Sequence, residues 1–266
     1  MDLLELLGFV GAFIMGIVLG LVGGGGSILT VPVFVYLMSI TPVTATAYSL
    51  FVVGSASFVG AFQNMKKGIV DYRTAIVFAT PAFAAVYVTR KFIVPAIPEK
   101  LFSIGDFTLT KDVGLMVFFA ILMLVASFSM IRSNSKEDVE RGAVQYNYPL
   151  IIIEGLLIGI FTGLIGAGGG FLIIPALVIL AKLPMKKAVA TSLLIIAIKS
   201  LIGFIGDVEN MEIDWPFLLF FTGLSIVGIL VGTWLSKFIE GKNLKKGFGW
   251  FVLLMGIYII IREFSA

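Results

Sequence analysis

GLVGGGGSILTVP, Gly20 to Pro32, and GLIGAGGGFLIIP, Gly163 to Pro175, lie 143 residues apart and align without a gap. The register carries on downstream. Ala47-Tyr48-Ser49-Leu50 falls on Ala190-Thr191-Ser192-Leu193, Ser57 and Gly60 fall on Ser200 and Gly203, and Asp71-Tyr72 falls on Asp214-Trp215. There are about 16 identities in some 57 positions. Glycine and leucine inflate such a count in any apolar chain, but matched Pro, Ser and Asp residues in one ungapped register do not follow from composition. The sequence is a tandem of two related halves.

Both halves are apolar. Of the 266 residues, 59% are hydrophobic and 13% charged, with a mean hydropathy of +1.09, against about 25% charged in a typical soluble domain. No Asp, Glu, Lys or Arg occurs between Leu6 and Met65. A soluble fold cannot hide that much apolar surface, so the chain is read as a polytopic, all-α membrane protein. About 20 apolar residues of helix span a bilayer core, and ten apolar segments emerge, near 6–22, 28–40, 44–63, 74–89, 113–131, 148–165, 171–183, 188–206, 215–236 and 247–261. The second and seventh hold only about 13 residues, or about 20 Å of helix, too short to cross unaided. They read as re-entrant half-helices or as half of a hairpin. The polar stretch RSNSKEDVERGAVQ, Arg132 to Gln145, divides the chain into a first repeat (1–131), a cytoplasmic linker (132–147) and a second repeat (148–266).

Loop charges set orientation, because basic loops stay cytoplasmic. The loop with Lys66, Lys67 and Arg73 is basic, whereas its counterpart carries Asp207, Glu209, Glu212 and Asp214. Ser39 to Thr44 is uncharged, whereas its counterpart carries Lys182, Lys186 and Lys187. Equivalent loops therefore face opposite sides, and each half of five segments is inverted relative to the other. With both termini periplasmic, 13 of the 19 bases fall in cytoplasmic loops, and the outer stretch from Arg90 to Lys111 sets four bases against Glu99 and Asp106. Inverted repeats with interrupted helices are the architecture of many secondary transporters, whose substrate site lies at the breaks. The N-terminal stretch opens with Asp2 and Glu5 and not with a positive region, so it reads as mature protein.

The chain contains no His and no Cys, which removes zinc-finger, thiol-protease, disulfide and His-ligated haem chemistry. No catalytic, metal or cofactor site is expected, and no basic stripe interleaved with aromatics points to nucleic acid. A membrane enzyme lacks a reactive cluster.

Two glycine runs, Gly23 to Ser27 and Gly166 to Gly170, each precede a short helix. Glycine admits positive φ and leaves backbone N–H groups uncovered, and the helix that follows presents its positive dipole end, an arrangement that attracts anions. Neither run continues into GK[ST], so neither is a nucleotide loop. The bland reading, in which the glycines only let helices pack closely, weakens because two runs stand in register. Candidate substrate-binding residues are Gly23, Gly25, Gly26, Ser27 and Ser49 in the first half, with Gly166, Gly168, Gly169, Gly170, Thr191, Ser192 and Lys199 in the second.

The pattern G-L-[IV]-G-[AG]-G-G-[GS]-x-L-x-x-P followed by A-x-A-x-S-L, present in both halves, resembles the TauE/SafE family of membrane transporters over nearly the whole chain. The second copy, Gly163 to Pro175 with Ala188-Val-Ala-Thr-Ser-Leu193, fits best. The first has Gly24 where Ala167 sits, Ser27 for Gly170 and Tyr48 for Thr191. The resemblance implies a bacterial inner-membrane carrier of sulfur-containing anions such as sulfite and sulfonates, a substrate class and not a compound.

Lys199 is the sharpest polar residue. A charge at the bilayer centre costs from about 2.5 to more than 10 kcal/mol, and Lys199 lies about 16 Å along its helix from Ala188. Its counterpart is Ala56, so the repeat does not demand it. Ser192, Lys199 and Gly203 share one helix face, where Lys199 supplies positive charge to a substrate, snorkels, or pairs with a carboxylate such as Glu154. Glu154 itself reads as solvated near the headgroups. Gln63 and Asn64 are placed to line an inner vestibule, and Asp71 and Asp214 read as helix N-caps beside the interfacial anchors Tyr72 and Trp215. The Phe-rich runs Phe118-Phe119 and Phe217 to Phe221 are lipid-facing or packing residues, and Pro81 is a candidate kink. The sequence thus points to a secondary transporter of a small anion, export favoured. Its partners are that anion, the lipid bilayer and, as an option the sequence leaves open, a second copy of the chain in a homodimer. A passive anion channel and a carboxylate transporter are the alternatives.

Overall fold

The computed structural model describes residues 3–104, 107–132, 148–179, 181, 183–236, 238 and 241–265. Among them, one helix forms for each apolar segment. These are α1 (Leu3–Val22), α2 (Gly25–Leu37), α3 (Pro42–Lys66), α4 (Tyr72–Ala96) and α5 (Lys111–Arg132), then α6 (Tyr148–Ile165), α7 (Gly170–Ile179), α8 (Met185–Val208), α9 (Trp215–Leu235) and α10 (Gly241–Ser265). Six of the described helices are long and apolar enough to cross a membrane. Large apolar side chains such as Ile76, Val125, Phe128 and Leu219 stand exposed on them, as lipid contact requires. The expected linker at 133–147 and Lys182 lie outside the described residues.

One expectation is corrected. The fourth segment does not stop before Arg90. It continues to Ala96, with a π-helical turn over Thr89–Ile93, because Arg90 and Lys91 find carboxylates and need not leave the bundle. The outer loop that follows holds a short hairpin, in which β1 (Lys100–Ile104) pairs antiparallel with β2 (Phe107–Thr110).

The short second segment runs back along α1. A Cβ added at Gly26 would strike the backbone of Leu19 and Met15, one at Gly11 would lie 3.1 Å from Val33, and one at Gly8 would strike Met38. As α2 advances from Gly26 to Met38 its neighbours on α1 step from Leu19 back to Gly8, so the two form a hairpin whose tip is the glycine break.

Helix pairing follows the 143-residue register. The main packed pairs are α1 with α9, α4 with α6, α3 with α8, α5 with α10, α4 with α8, and α9 with α3. Exchanging each helix for its counterpart in the other half returns the same set. The first two pairs are built on small residues, since lipid supplies no hydrophobic drive between helices and close backbone packing must do so. On α1, Gly16 and Gly20 face Gly228 and Gly232 of α9, with a Cβ at Gly16 only 3.0 Å from Gly228 Cα. On α6, Gly155, Gly159 and Gly163 face Pro81, Ala82, Ala85 and Thr89 of α4 in the same way.

Both expected caps form. Asp71 Oδ1 accepts from Thr74 N–H at 2.9 Å, and Asp214 Oδ1 accepts from Phe217 N–H at 3.1 Å. The backbones of the two aspartates reach across the halves: Asp71 N–H donates to Thr191 Oγ1 at 3.0 Å and Asp214 N–H to Tyr48 Oη at 2.8 Å. Thr191 is the counterpart of Tyr48, so the two bonds are one feature made twice. Of the aromatic runs, Phe119 and Phe221 are buried and Phe220 is exposed. Phe34 and Phe221 stack at 4.4 Å beside Tyr48 and Phe217.

Candidate functional site

The two glycine breaks meet. A Cβ on Gly24 would lie 2.7 Å from Gly170 Cα, and one on Gly170 would strike Gly24 in turn. Around this crossing stand Val53 and Ile196, which approach the tips at Gly168 and Gly24. Each lies 11 residues into its long helix, α3 from Pro42 or α8 from Met185, so the crossing sits near mid-length of both. Gly23 and Gly24 have φ of 70° and 130°, and Gly166, Gly168 and Gly169 have φ of 72°, 62° and 68°. Only glycine takes these values readily, so the runs are set both by backbone shape and by the absence of side chains at the contact.

Hydroxyls and one cation surround the tips. Ser27 Oγ donates to Gly24 O at 2.6 Å, and Ser192 Oγ donates to Gly23 O at 2.6 Å. Gly25 opens the 3-10 turn that begins α2. Ser49, the counterpart of Ser192, is buried, and its Oγ has no hydrogen-bond partner among the described residues. Lys199 is fully buried. Its Nζ donates to Thr162 Oγ1 at 2.7 Å and lies 3.1 Å from the Cβ position of Gly169. An ammonium carries three donors, and this is its one bond among the described residues. Neither ion pair found there involves Lys199, so the alternative pairing with Glu154 is not seen among the described residues, and the half-buried Glu154 stands elsewhere on α6. A lone ammonium beside an uncovered glycine backbone is a positive centre with room in its donor set for an anionic oxygen.

The structure thus brings Gly23, Ser27, Ser192, Gly168, Gly169, Gly170 and Lys199 together at the crossing. Thr191 is tied instead to the Asp71 backbone, and Gly166 lies against Thr46, whose Cα would be 2.5 Å from an added Cβ. The shared face of Ser192, Lys199 and Gly203 meets three elements, namely the first glycine tip, α6 and Val86 of α4.

Sequence reading missed Thr162, the acceptor of the lysine bond, and a fully buried Arg90. Arg90 Nε lies 3.6 Å from Asp207 Oδ2, and Nη1 donates to Thr46 Oγ1 at 3.0 Å. The signal was there: Arg90 and Lys91 sit where the register places Thr233 and Trp234, as Lys199 sits where it places Ala56.

Two cavities flank the bundle. One of about 570 Å³ is lined by Glu5, Asp214 and a wall of Phe9, Phe217, Phe220 and Tyr48, acidic and aromatic and so poorly suited to an anion. The other, about 400 Å³, is lined by Gln63, Lys66 and Lys67 with Leu230, Thr233 and Trp234. Gln63 therefore faces a basic vestibule.

A family model described as Sulfite exporter TauE/SafE matches residues 8–259. The chain belongs to the TauE/SafE family. A Xylella fastidiosa protein named probable membrane transporter protein is 29% identical over 261 residues, covering 95% of this chain and 94% of its own. The Bacillus subtilis protein named probable membrane transporter protein YunE is 25% identical over 273 residues, covering 94% of this chain and 95% of its own. No solved structure matches. The TauE/SafE chain is accordingly a multi-pass membrane transporter, and the matched residues include both glycine breaks of the crossing described above.

Proposed function

We propose that the chain exports a small sulfur-containing oxyanion, sulfite, sulfoacetate or another sulfonate, across the bacterial inner membrane. It does so by alternating access between two inverted halves, with both termini periplasmic. The observation that carries this reading is Lys199, an ammonium buried at the meeting point of the two glycine tips with no carboxylate partner among the described residues. Burying an unpaired charge is costly, and an arriving oxyanion offsets that cost. Sulfite and sulfonates carry several oxygens on one centre, suited to the ammonium, the neighbouring hydroxyls and bare backbone at once. Export needs no coupling ion, because an inside-negative potential contributes about 2.3 kcal/mol per anionic charge per 100 mV. The packing exchange under the 143-residue register supports the inverted repeat, and the basic vestibule, which the loop charges place on the cytoplasmic side, supports export.

A ligand raises the apparent stability of the state it binds. Purified protein is to be melted with sulfite, sulfate, thiosulfate, sulfoacetate, taurine and the matching carboxylates, alongside Lys199→Met. Saturable stabilisation by a sulfite or sulfonate that disappears in the variant is expected. Stabilisation by a carboxylate alone would overturn the substrate class, and an undiminished sulfonate response in Lys199→Met would remove Lys199 from the site.

A further inference from the structure

The basic vestibule has a counterpart at the other end of the molecule, and the counterpart is drawn shut. Gln63, Lys66 and Lys67 of α3, with Leu230, Thr233 and Trp234 of α9, leave about 400 Å³ between them. The 143-residue register sends them in order to Gly206, Glu209 and Asn210 of α8 and to Tyr87, Arg90 and Lys91 of α4. There the walls touch. A Cβ on Gly206 would lie 3.1 Å from Arg90 Cβ and 3.3 Å from Tyr87 O, and Lys91 Nζ lies 3.0 Å from Glu209 Oε2 and 3.2 Å from Tyr87 Oη. Asp207 reaches Arg90 from one turn back. At the open end the same pairs of positions hold Thr233 with Asn64 and Trp234 with Lys66, neither of them an ion pair.

The closure also reaches the glycine crossing. Arg90 bonds Thr46, and Thr46 rests on Gly166, the first residue of the second break. Arg90 and Lys91 ride on the π-helical turn Thr89–Ile93, a winding often found at functional positions. Among the described residues Arg90 Nε, Arg90 Nη2 and Asp207 Oδ2 make no hydrogen bond, so the buried pair is held by charge across 3.6 Å.

We infer that Arg90–Asp207 and Lys91–Glu209 are the gate that seals the Arg90 end of the transport path, and that this structure is the state open at the Lys66 end. The inference rests on the alternating-access reading. The loop charges place the gate on the periplasmic side. Transport then requires α4 and α8 to part there while α9 and α3 close at the opposite end.

The chain has no cysteine, so a single introduced thiol reports its own accessibility. Thr46→Cys lies beneath the guanidinium, and Gln63→Cys lies in the vestibule wall at a partly exposed position. With a membrane-impermeant maleimide in vesicles of each orientation, Gln63→Cys is expected to react readily from the Lys66 side and Thr46→Cys slowly from the Arg90 side. Adding Asp207→Asn or Glu209→Gln is expected to speed labelling of Thr46→Cys by about ten-fold or more and to slow Gln63→Cys, as a population shift requires. Glu209 is largely exposed, so its variant carries the test if Asp207→Asn does not fold. Unchanged labelling of Thr46→Cys in folded gate variants would overturn the gate and leave alternating access standing. Fast labelling of both thiols in the parent, with both ion pairs intact, would overturn alternating access itself. Neither result depends on the transported anion.

Discussion

At Gly170 a single methyl group would strike Gly24 Cα and lie 2.6 Å from its carbonyl carbon and oxygen, backbone atoms that cannot rotate away. Gly170→Ala is therefore expected to cost about 2 kcal/mol, in the range of overpacked cores, and to lower the melting temperature in detergent. Gly223→Ala meets nothing within 4 Å inside α9 and is expected to be neutral or stabilising by about 0.5 kcal/mol. Equal melts would show that the crossing has room for a methyl group and does not depend on glycine at 170. Lys199 and Thr162 give a second contrast. Thr162→Val removes the one oxygen that accepts from the buried ammonium, an expected loss of about 2 kcal/mol, and Thr162→Ser restores it. Lys199→Met removes the charge together with its desolvation cost, so its stability is expected to equal or exceed the parent's while anion binding is lost. If Lys199→Met were destabilised as much as Thr162→Val, the lysine would be a structural member and not a binding one. Lys199 was legible in the sequence because no scaffold demands a cation at the position of Ala56. Thr162 was not, because a threonine in an apolar helix gives no sign of the side chain it will meet.

The helices themselves were legible from apolar runs, and the hairpin of α1 and α2 from a run too short to span. The end of α4 was not. Reading outward along an apolar run, Arg90 and Lys91 look like its terminus, and only their neutralisation by Asp207 and Glu209, far along the chain, lets the helix continue. The hairpin of β1 and β2 was hidden for a related reason, since its short strands carry no long alternating pattern. Which helices pair also escaped the sequence reading, although the four-residue spacing of Gly16 with Gly20 and of Gly228 with Gly232 holds the answer. Bulk at these positions separates α1 from α9. Gly232→Leu would drive a side chain into the Ile17 backbone and is expected to abolish a monodisperse peak in fluorescence size-exclusion, as is Gly159→Leu at the α4–α6 contact. Survival of either at parental yield would mean that these pairs do not hold the bundle. The caps are a milder case. Asp71→Ala and Asp214→Ala are each expected to cost about 1 kcal/mol and the Asn variants much less.

Across the whole molecule, two halves related by one register are unlike in charge, and the difference runs along the proposed direction of transport. Lys66 and Lys67 line the vestibule at one end, while Glu5 and Asp214 line the cavity near the N-terminus of α1. Lysines at a cavity mouth raise the local concentration of anions and their rate of entry, and carboxylates do the reverse. On the export reading, an anion is drawn in at the Lys66 end and, once released on the opposite face, meets carboxylates that discourage its return. This steering acts over roughly a Debye length, about 10 Å at 0.1 M salt and about 3 Å at 1 M. Replacing both lysines, Lys66→Gln with Lys67→Gln, is therefore expected to lower the initial uptake rate of labelled sulfite into vesicles that present this end outward by about ten-fold at low ionic strength. The deficit is expected to vanish near 1 M salt. In vesicles of the opposite orientation the same variant is expected to change the rate little, because the lysines then act only on anion that has already crossed. A deficit of equal size in both orientations, or one indifferent to salt, would mean that the lysines act on folding or on the gate and not by attracting the substrate.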